Sequence, residues 1–200
     1  MLTTVGRNTA LDAIGEIALY VAAHDAYPEP DGTQAEIPGT RTAITWLPTV
    51  DGIKVTVGAP QITISQPATV RWFSLWTSLD DYEGCVAITP SAERALRYLV
   101  DADADTVTPE DATGIAENDP IVFWGVDAPP APLQNGTVYY AVNVANGSFQ
   151  LAEEPAGAAI DITEGSPFSP DMWLAKLEPV TFALPGTLDV QGLSFDGTGV

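Results

Sequence analysis

Cationic side chains are scarce in this chain. Seven Lys and Arg stand against 27 Asp and Glu in 200 residues, for a formal charge of −20. Affinity for DNA or RNA comes from cations that neutralise phosphate, so no nucleic-acid partner is expected. The charge reads instead as a device for solubility and for mutual repulsion between crowded copies. One cysteine, Cys85, allows no internal disulfide and leaves the redox compartment open. It sits in an apolar run (CVAIT), where a small core residue is a better reading than a nucleophile. One histidine, His24, rules out a multi-histidine metal site. No run approaches the ~20 apolar residues that span a bilayer, and the first residues lack the basic-then-apolar pattern of a leader. A soluble, unprocessed chain with no membrane partner is the expectation. Also missing are a Gly-x-Ser-x-Gly elbow, a phosphate-binding glycine loop and an HExxH helix. Paired carboxylates of the glycosidase kind meet only in a fold and leave no signature in spacing. The chain is therefore read as a non-enzyme without cofactor.

What is present favours β structure. Apolar residues make up 46% of the chain, enough for a core, and 17 Gly and 17 Pro punctuate short runs rich in Val, Ile and Thr. The run at 69–78 (TVRWFSLWTS) is the organising one. At the two-residue period of a strand it places Val70, Trp72, Ser74 and Trp76 on one face and Arg71, Phe73, Leu75 and Thr77 on the other, which predicts a strand covered on both sides. Before it, Leu11, Ile14, Ile17 and Ala18 recur at helical spacing behind Asn8 or Thr9 as N-cap, predicting one short helix. Strands are predicted at 19–23, 41–47, 53–57 and 61–65, with a proline-rich exposed loop at 24–32. A hairpin-like break at 79–84 precedes a further strand at 85–89.

Residues 98–175 then change character, with thirteen acids and no Lys or Arg. Residues 91–100 fit either a short helix or the start of a strand. Strands are predicted at 121–125, 137–144, 148–152 and 159–163, and Asn146-Gly147 gives the best hairpin signal. The earlier strand pattern returns at 180–184 and 188–193. The resulting expectation is an all-β chain with one short N-terminal helix: an antiparallel β-sandwich made of residues 1–90 plus 179–200, interrupted by a second small β-domain at 98–175.

Few residues suggest chemistry. Asp101, Asp103 and Asp105 would share one face of an extended segment, and hard cations favour clustered carboxylates. An EF-hand loop starting at Asp101 would need Gly and Glu where Thr106 and Ala112 stand, so that motif fails. A solvated acidic edge is the preferred reading, with a calcium site completed by Glu110 or Asp111 as the alternative. Trp46, Trp72, Trp76, Trp124 and Trp173 read as core aromatics or, alternatively, as a sugar-stacking platform. Trp173 lies near a boundary and is a candidate interface residue. So are His24, Tyr27 and Pro28, in a segment (24–37) too irregular for a sheet.

The order of segments resembles a β-sandwich protein of tailed bacteriophages, of the minor tail or tail-fibre-like kind. His24, Pro28, Glu36, Arg41, Trp46, Leu75 and Trp76 fall at the matching places. Residues 105–163 separately resemble a small β-module of phage virion proteins. The matches there are Gly114, Asp119, Val122, Phe123, Leu133, Gly136, Thr137, Tyr139, Tyr140, Phe149, Leu151, Gly157, Ala158 and Thr163. The resemblance implies a virion structural protein, assembled in the host cytoplasm, whose partners are other virion proteins and copies of itself, with a trimer as the first expectation. A capsid decoration or head-fibre protein, and a carbohydrate-binding module for host attachment, are the alternatives. The resemblance carries no catalytic residue.

Overall fold

The computed structural model describes residues 8–9, 11–13, 16, 18–28, 31–51, 53–78, 80–90, 95–111, 114–125, 128–166, 172–190 and 194–196. The fold is all-β with antiparallel pairing throughout the described strands. Helical residues are Asn8, Thr9, Leu11, Asp12, Ala13 and Glu16. Ile14 and Ile17, part of the predicted helical face, lie outside the described residues, as do 91–94 and 191–193. The chain divides into two compact units, one of residues 1–86 and 180–200, the other of 87–179.

In the first unit the strands are β1 (Tyr20–His24), β2 (Thr42–Ala43), β3 (Ile53–Val55), β4 (Gln61–Ile64), β5 (Ala68–Val70), β6 (Trp72–Trp76) and β7 (Tyr82–Ala87, whose last residue falls to the second unit). The second unit holds β8 (Tyr98–Asp101), β9 (Thr106–Pro109), β10 (Pro120–Gly125), β11 (Val138–Ala145), β12 (Ser148–Ala152) and β13 (Met172–Lys176). The chain then returns to the first unit with β14 (Val180–Phe182), β15 (Gly186–Asp189) and β16 (Ser194–Asp196).

The first unit has one four-stranded sheet, β2-β1-β6-β7, and three ribbons that pair the returning strands with the early ones: β14 with β5, β15 with β4 and β16 with β3. The predicted single strand at 69–78 is two strands. At Arg71 the chain leaves β14 and joins β1, and the Arg71 amide donates to the His24 carbonyl. From Trp72 to Trp76 every residue is buried, so both faces of β6 are covered, as its two aromatic-rich faces require. Three other expectations are corrected. The strand predicted at 41–47 shrinks to β2 and an isolated bridge from Trp46 to Thr56, and the break predicted at 79–84 already belongs to β7 from Tyr82. His24, placed in an exposed loop by its proline-rich neighbours, completes β1 and is fully buried, because it pairs with Trp72.

The second unit is a six-stranded sheet, β13-β10-β11-β12-β9-β8. Leu96, just ahead of β8, exchanges two backbone hydrogen bonds with Leu174 of β13 (2.8 and 2.9 Å), which joins the two ends of the sheet and leaves a small closed barrel. Closure removes the open edges that invite foreign strands. The barrel is filled by Tyr98, Val107, Ile121, Phe123, Phe149, Leu151, Ile162 and Leu174, with Phe123 edge-on between Tyr98 (5.0 Å) and Tyr139 (6.1 Å). Residues 159–163, predicted as a strand, are extended without a ladder. Their amides are used singly, Ile160 to the Leu151 carbonyl and Thr163 to that of Ala131. Residues 172–177, read as a lead back to the first domain, supply β13.

Candidate functional site

The residues around β1 and β6 form a polar chain inside the first unit. Ala22 lies directly opposite Ser74, and its small side chain lets the His24 imidazole reach diagonally to the Ser74 hydroxyl, Nε2 to Oγ 2.6 Å. The indole Nε1–H of Trp76 donates to the same oxygen at 2.7 Å. His24 Nδ1 lies 2.8 Å from the Gln34 carbonyl. A carbonyl accepts and an indole N–H donates, so the protons are assigned: Trp76 to Ser74, Ser74 to His24 Nε2, and His24 Nδ1–H to Gln34. His24 is neutral, with its pKa below the usual 6.5, first because burial penalises the imidazolium. Opposing that are the Gln34 carbonyl and the carboxylates Glu36 and Asp25, while Arg41 adds to the depression.

Trp76 is held by two neighbours. The Arg41 guanidinium lies 3.6 Å from its ring centroid, and Tyr82 meets it edge-on at 5.4 Å. Arg41 is fixed by Glu36, with Nε 3.1 Å from both carboxylate oxygens and Nη2 at 2.9 Å from one. Gly32 lies against the Tyr82 ring with φ +75°. A Cβ there would fall 2.1 Å from the ring, so this turn needs glycine on two counts.

A serine oxygen hydrogen-bonded to a histidine has the outline of a nucleophile and its base. The outline stops there. Both side chains have no exposed surface, and the group behind the histidine is a main-chain carbonyl in place of a carboxylate. The arrangement orders the core.

Concavities lie elsewhere among the described residues, and two of them are lined by residues singled out above or by prolines. One, of about 440 Å³, is lined by Trp46, Leu19, Ile44 and Pro48 together with Asp12, Glu16 and Lys54. Trp46 is half-buried there, contrary to its reading as a core residue, and its Nε1–H donates to the Ala18 carbonyl at 2.7 Å. Asp12 accepts from Lys54 Nζ (2.7 Å) and from the Thr49 amide and hydroxyl, and these donors hold its carboxyl down at a pKa of about 2. The other, of about 450 Å³, lies in the second unit along Pro129, Pro130, Ala131 and Pro132, facing Glu164 and Ser166.

The acidic triplet does not assemble. Residues 102–105 are a turn between β8 and β9, so the alternation that would align three carboxylates on one strand is absent. Asp101 accepts from the Asp103 amide, while Asp105, at φ +54°, turns away to accept from the Ile162 amide at 2.8 Å. Among the described residues no group of three His, Cys, Asp or Glu is placed to hold a metal ion.

Of the four interface candidates, His24 is corrected outright, since a side chain with no exposed surface offers none to a partner. Pro28 is buried, and Tyr27 is half-buried edge-on to Trp72 at 5.0 Å. Trp173 is half-buried on β13 and paired in register with Trp124 of β10, which is also half-buried and so departs from its core reading. Cys85, expected in the core, is half-buried on β7. Sequence reasoning missed Ser74 as the hub of the polar chain. Its signal was the one small polar residue on the tryptophan face of an otherwise apolar run.

Comparisons of the chain with protein-family models, with curated proteins and with solved structures find no match.

Proposed function

We propose that this protein is a structural component of a bacteriophage virion, a minor tail or tail-fibre-like protein that acts by protein–protein assembly. The observation that carries the reading is the use made of the residues on which the resemblance rests. His24, Glu36, Arg41 and Trp76 converge on one polar and aromatic cluster, Pro28 and Leu75 are buried, and Trp46 ties the sheet to Ala18. They serve the scaffold and none is poised for a reaction. A pattern made of scaffold residues marks a fold whose work is done by its outer surfaces. The experiment is imaging of purified particles with the protein tagged at residue 155, in an exposed turn of the second unit, together with its copy number by mass spectrometry. Tag density on the tail supports the reading. Density over the capsid transfers the protein to the decoration class, and absence from particles rejects both.

The groove at Trp46 favours a second reading, carbohydrate binding, since a half-exposed indole beside Asp12 and Glu16 combines a stacking surface with hydrogen-bond acceptors. Glycan-array binding by the isolated chain, abolished in Trp46→Ala, would support it.

A further inference from the structure

The chain has two Asn-Gly steps, Asn135-Gly136 and Asn146-Gly147, and both stand in turns of the second unit. The fold treats them in opposite ways. After an asparagine, the next amide nitrogen can close a five-membered ring on the side-chain Cγ, and a following glycine, having no Cβ, leaves that nitrogen uncrowded. The attack has two requirements. The nitrogen must be able to give up its proton, and the asparagine must be free to rotate until Cγ lies within its reach. A hydrogen bond from that N–H opposes the first, and a partner on the side-chain amide opposes the second.

At Asn135-Gly136 both are opposed. The Gly136 amide donates to the carbonyl of Phe123, a fully buried residue of β10, at 2.7 Å. Asn135 is half-buried, and its Nδ2 donates to the Gly125 carbonyl at 3.3 Å. The flanking backbone is held as well, with the Gln134 amide on the Tyr139 hydroxyl at 3.0 Å and the Thr137 amide on the Gln134 carbonyl at 3.4 Å. Reaction here requires several bonds of the barrel to break together. Asn146-Gly147 is the two-residue tip of the hairpin between β11 and β12. Its φ values of +53° and +81° are the pair of positive angles that a type I′ turn demands. Both residues are exposed, and open space surrounds the place where a Gly147 Cβ would stand. Among the described residues, neither the Asn146 side chain nor the Gly147 amide has a hydrogen-bond partner. The ladder closes one residue to either side, at Ala145 with Ser148, so the tip can turn over without breaking it. Such tips open at far lower free energy than strands do.

We propose that Asn146 is a site of spontaneous modification, converted by water to aspartate and isoaspartate in the folded protein, while the barrel keeps Asn135 intact. The Gly147 nitrogen, its proton taken by hydroxide, bonds to Asn146 Cγ. The Cγ–Nδ2 bond then breaks, and ammonia leaves with a proton from water, which regenerates the hydroxide. Water opens the resulting ring in one of two ways. Cleavage between nitrogen and Cγ restores the main chain with an aspartate, whereas cleavage at the Asn146 carbonyl carbon routes the main chain through Cβ and Cγ as isoaspartate. One water is consumed in net terms and one ammonia released, with no change of oxidation state. Either product adds a negative charge to a stretch, 98–175, that has no Lys or Arg to offset it. Isoaspartate also lengthens the main chain of the turn by a methylene, which loosens the Ala145–Ser148 closure. The inference goes beyond the assembly reading and does not depend on it.

The test is incubation of the full chain in mildly alkaline buffer, folded and in concentrated urea, followed by peptide mapping. Each conversion adds about one dalton to its peptide, and chromatography separates the two products. In the folded chain Asn146 should convert at least about ten-fold faster than Asn135, which reacts only when the barrel opens. In urea the gap should collapse, since glycine follows both asparagines. A folded chain in which Asn146 converts no faster than Asn135, or a gap that persists undiminished in urea, overturns the proposal. Freshly purified Asn146→Asp carries the charge without the extra methylene. Amide protection at Ser148 should fall in the isoaspartyl fraction and not in that variant, and equal protection in the two would reject the loosening of the turn.

Discussion

Lowering the pH from about 7.5 to about 5.5 titrates one side chain type in this protein, and His24 is the single residue of that type. In the fold its imidazole is buried and neutral, and its pKa lies below 6.5. In the unfolded chain it takes up a proton near 6.5. Between these two values the unfolded state binds one proton more, so the stability His24 contributes is complete above 6.5 and falls away on acidification. The slope approaches about 1.4 kcal/mol per pH unit while the folded imidazole stays neutral. The expected loss between pH 7.5 and 5.5 is therefore up to about 1.4 kcal/mol. The geometry says why protonation is resisted: Nε2 already accepts the Ser74 hydroxyl proton, and an imidazolium there would leave that proton without its acceptor. Urea midpoints at the two pH values measure the loss, with an unchanged denaturant slope as the check on two-state behaviour. In His24→Gln the pH dependence should vanish. Ser74→Ala strands both the Trp76 indole N–H and His24 Nε2 in the core, and should cost roughly 2–4 kcal/mol at pH 7.5. A pH dependence that survives in His24→Gln, or a Ser74→Ala cost below about 1 kcal/mol, would refute the reasoning.

Trp76→Ala removes a fully buried indole together with its Arg41 and Tyr82 contacts and should cost about 3–5 kcal/mol in reversible melts. A loss below about 1 kcal/mol would mean the face is open. Arg41→Lys keeps the charge but loses the forked grip on Glu36, and both groups are partly solvated, so a loss of about 1 kcal/mol, reduced in high salt, is expected from denaturation at two ionic strengths. Calcium at about 1 mM should leave the melting temperature of the full chain unchanged, since Asp105 is turned from Asp101 and Asp103; a clear rise would restore the acidic site. Residues 87–179 expressed alone should melt cooperatively, having a closed sheet and their own core, whereas a product that binds hydrophobic dyes and lacks near-UV dichroism would deny this unit its independence.

Much of the fold was legible because most strands follow the two-residue period between Gly- and Pro-rich turns. β10, β11 and β12 lie within a residue of their sequence positions for that reason. Other features depended on partners that periodicity does not name. The break at Arg71 is caused by a change of neighbouring strand, and nothing local to TVRWF signals it. Residues 159–163 alternate like a strand, but their amides bond one by one to Leu151, Asp105 and Ala131, three separate segments, so no ladder forms. The acidic triplet failed because the tight turn at 102–105 overrides alternation. The polar core was half visible: His24 and Trp76 stood out by rarity and size, but Ser74 gained its meaning only when β1 came to lie beside β6.

The first and last stretches of the second unit are tied together, with the Glu178 amide donating to the Ile88 carbonyl at 2.8 Å. Seen from the first unit, more than ninety intervening residues amount to a loop of almost no span, and the entropy of closing it is met within the second unit itself. Such a neck behaves as a socket. Any other module whose ends lie equally close could be exchanged into it without lengthening the path of the chain through the first unit.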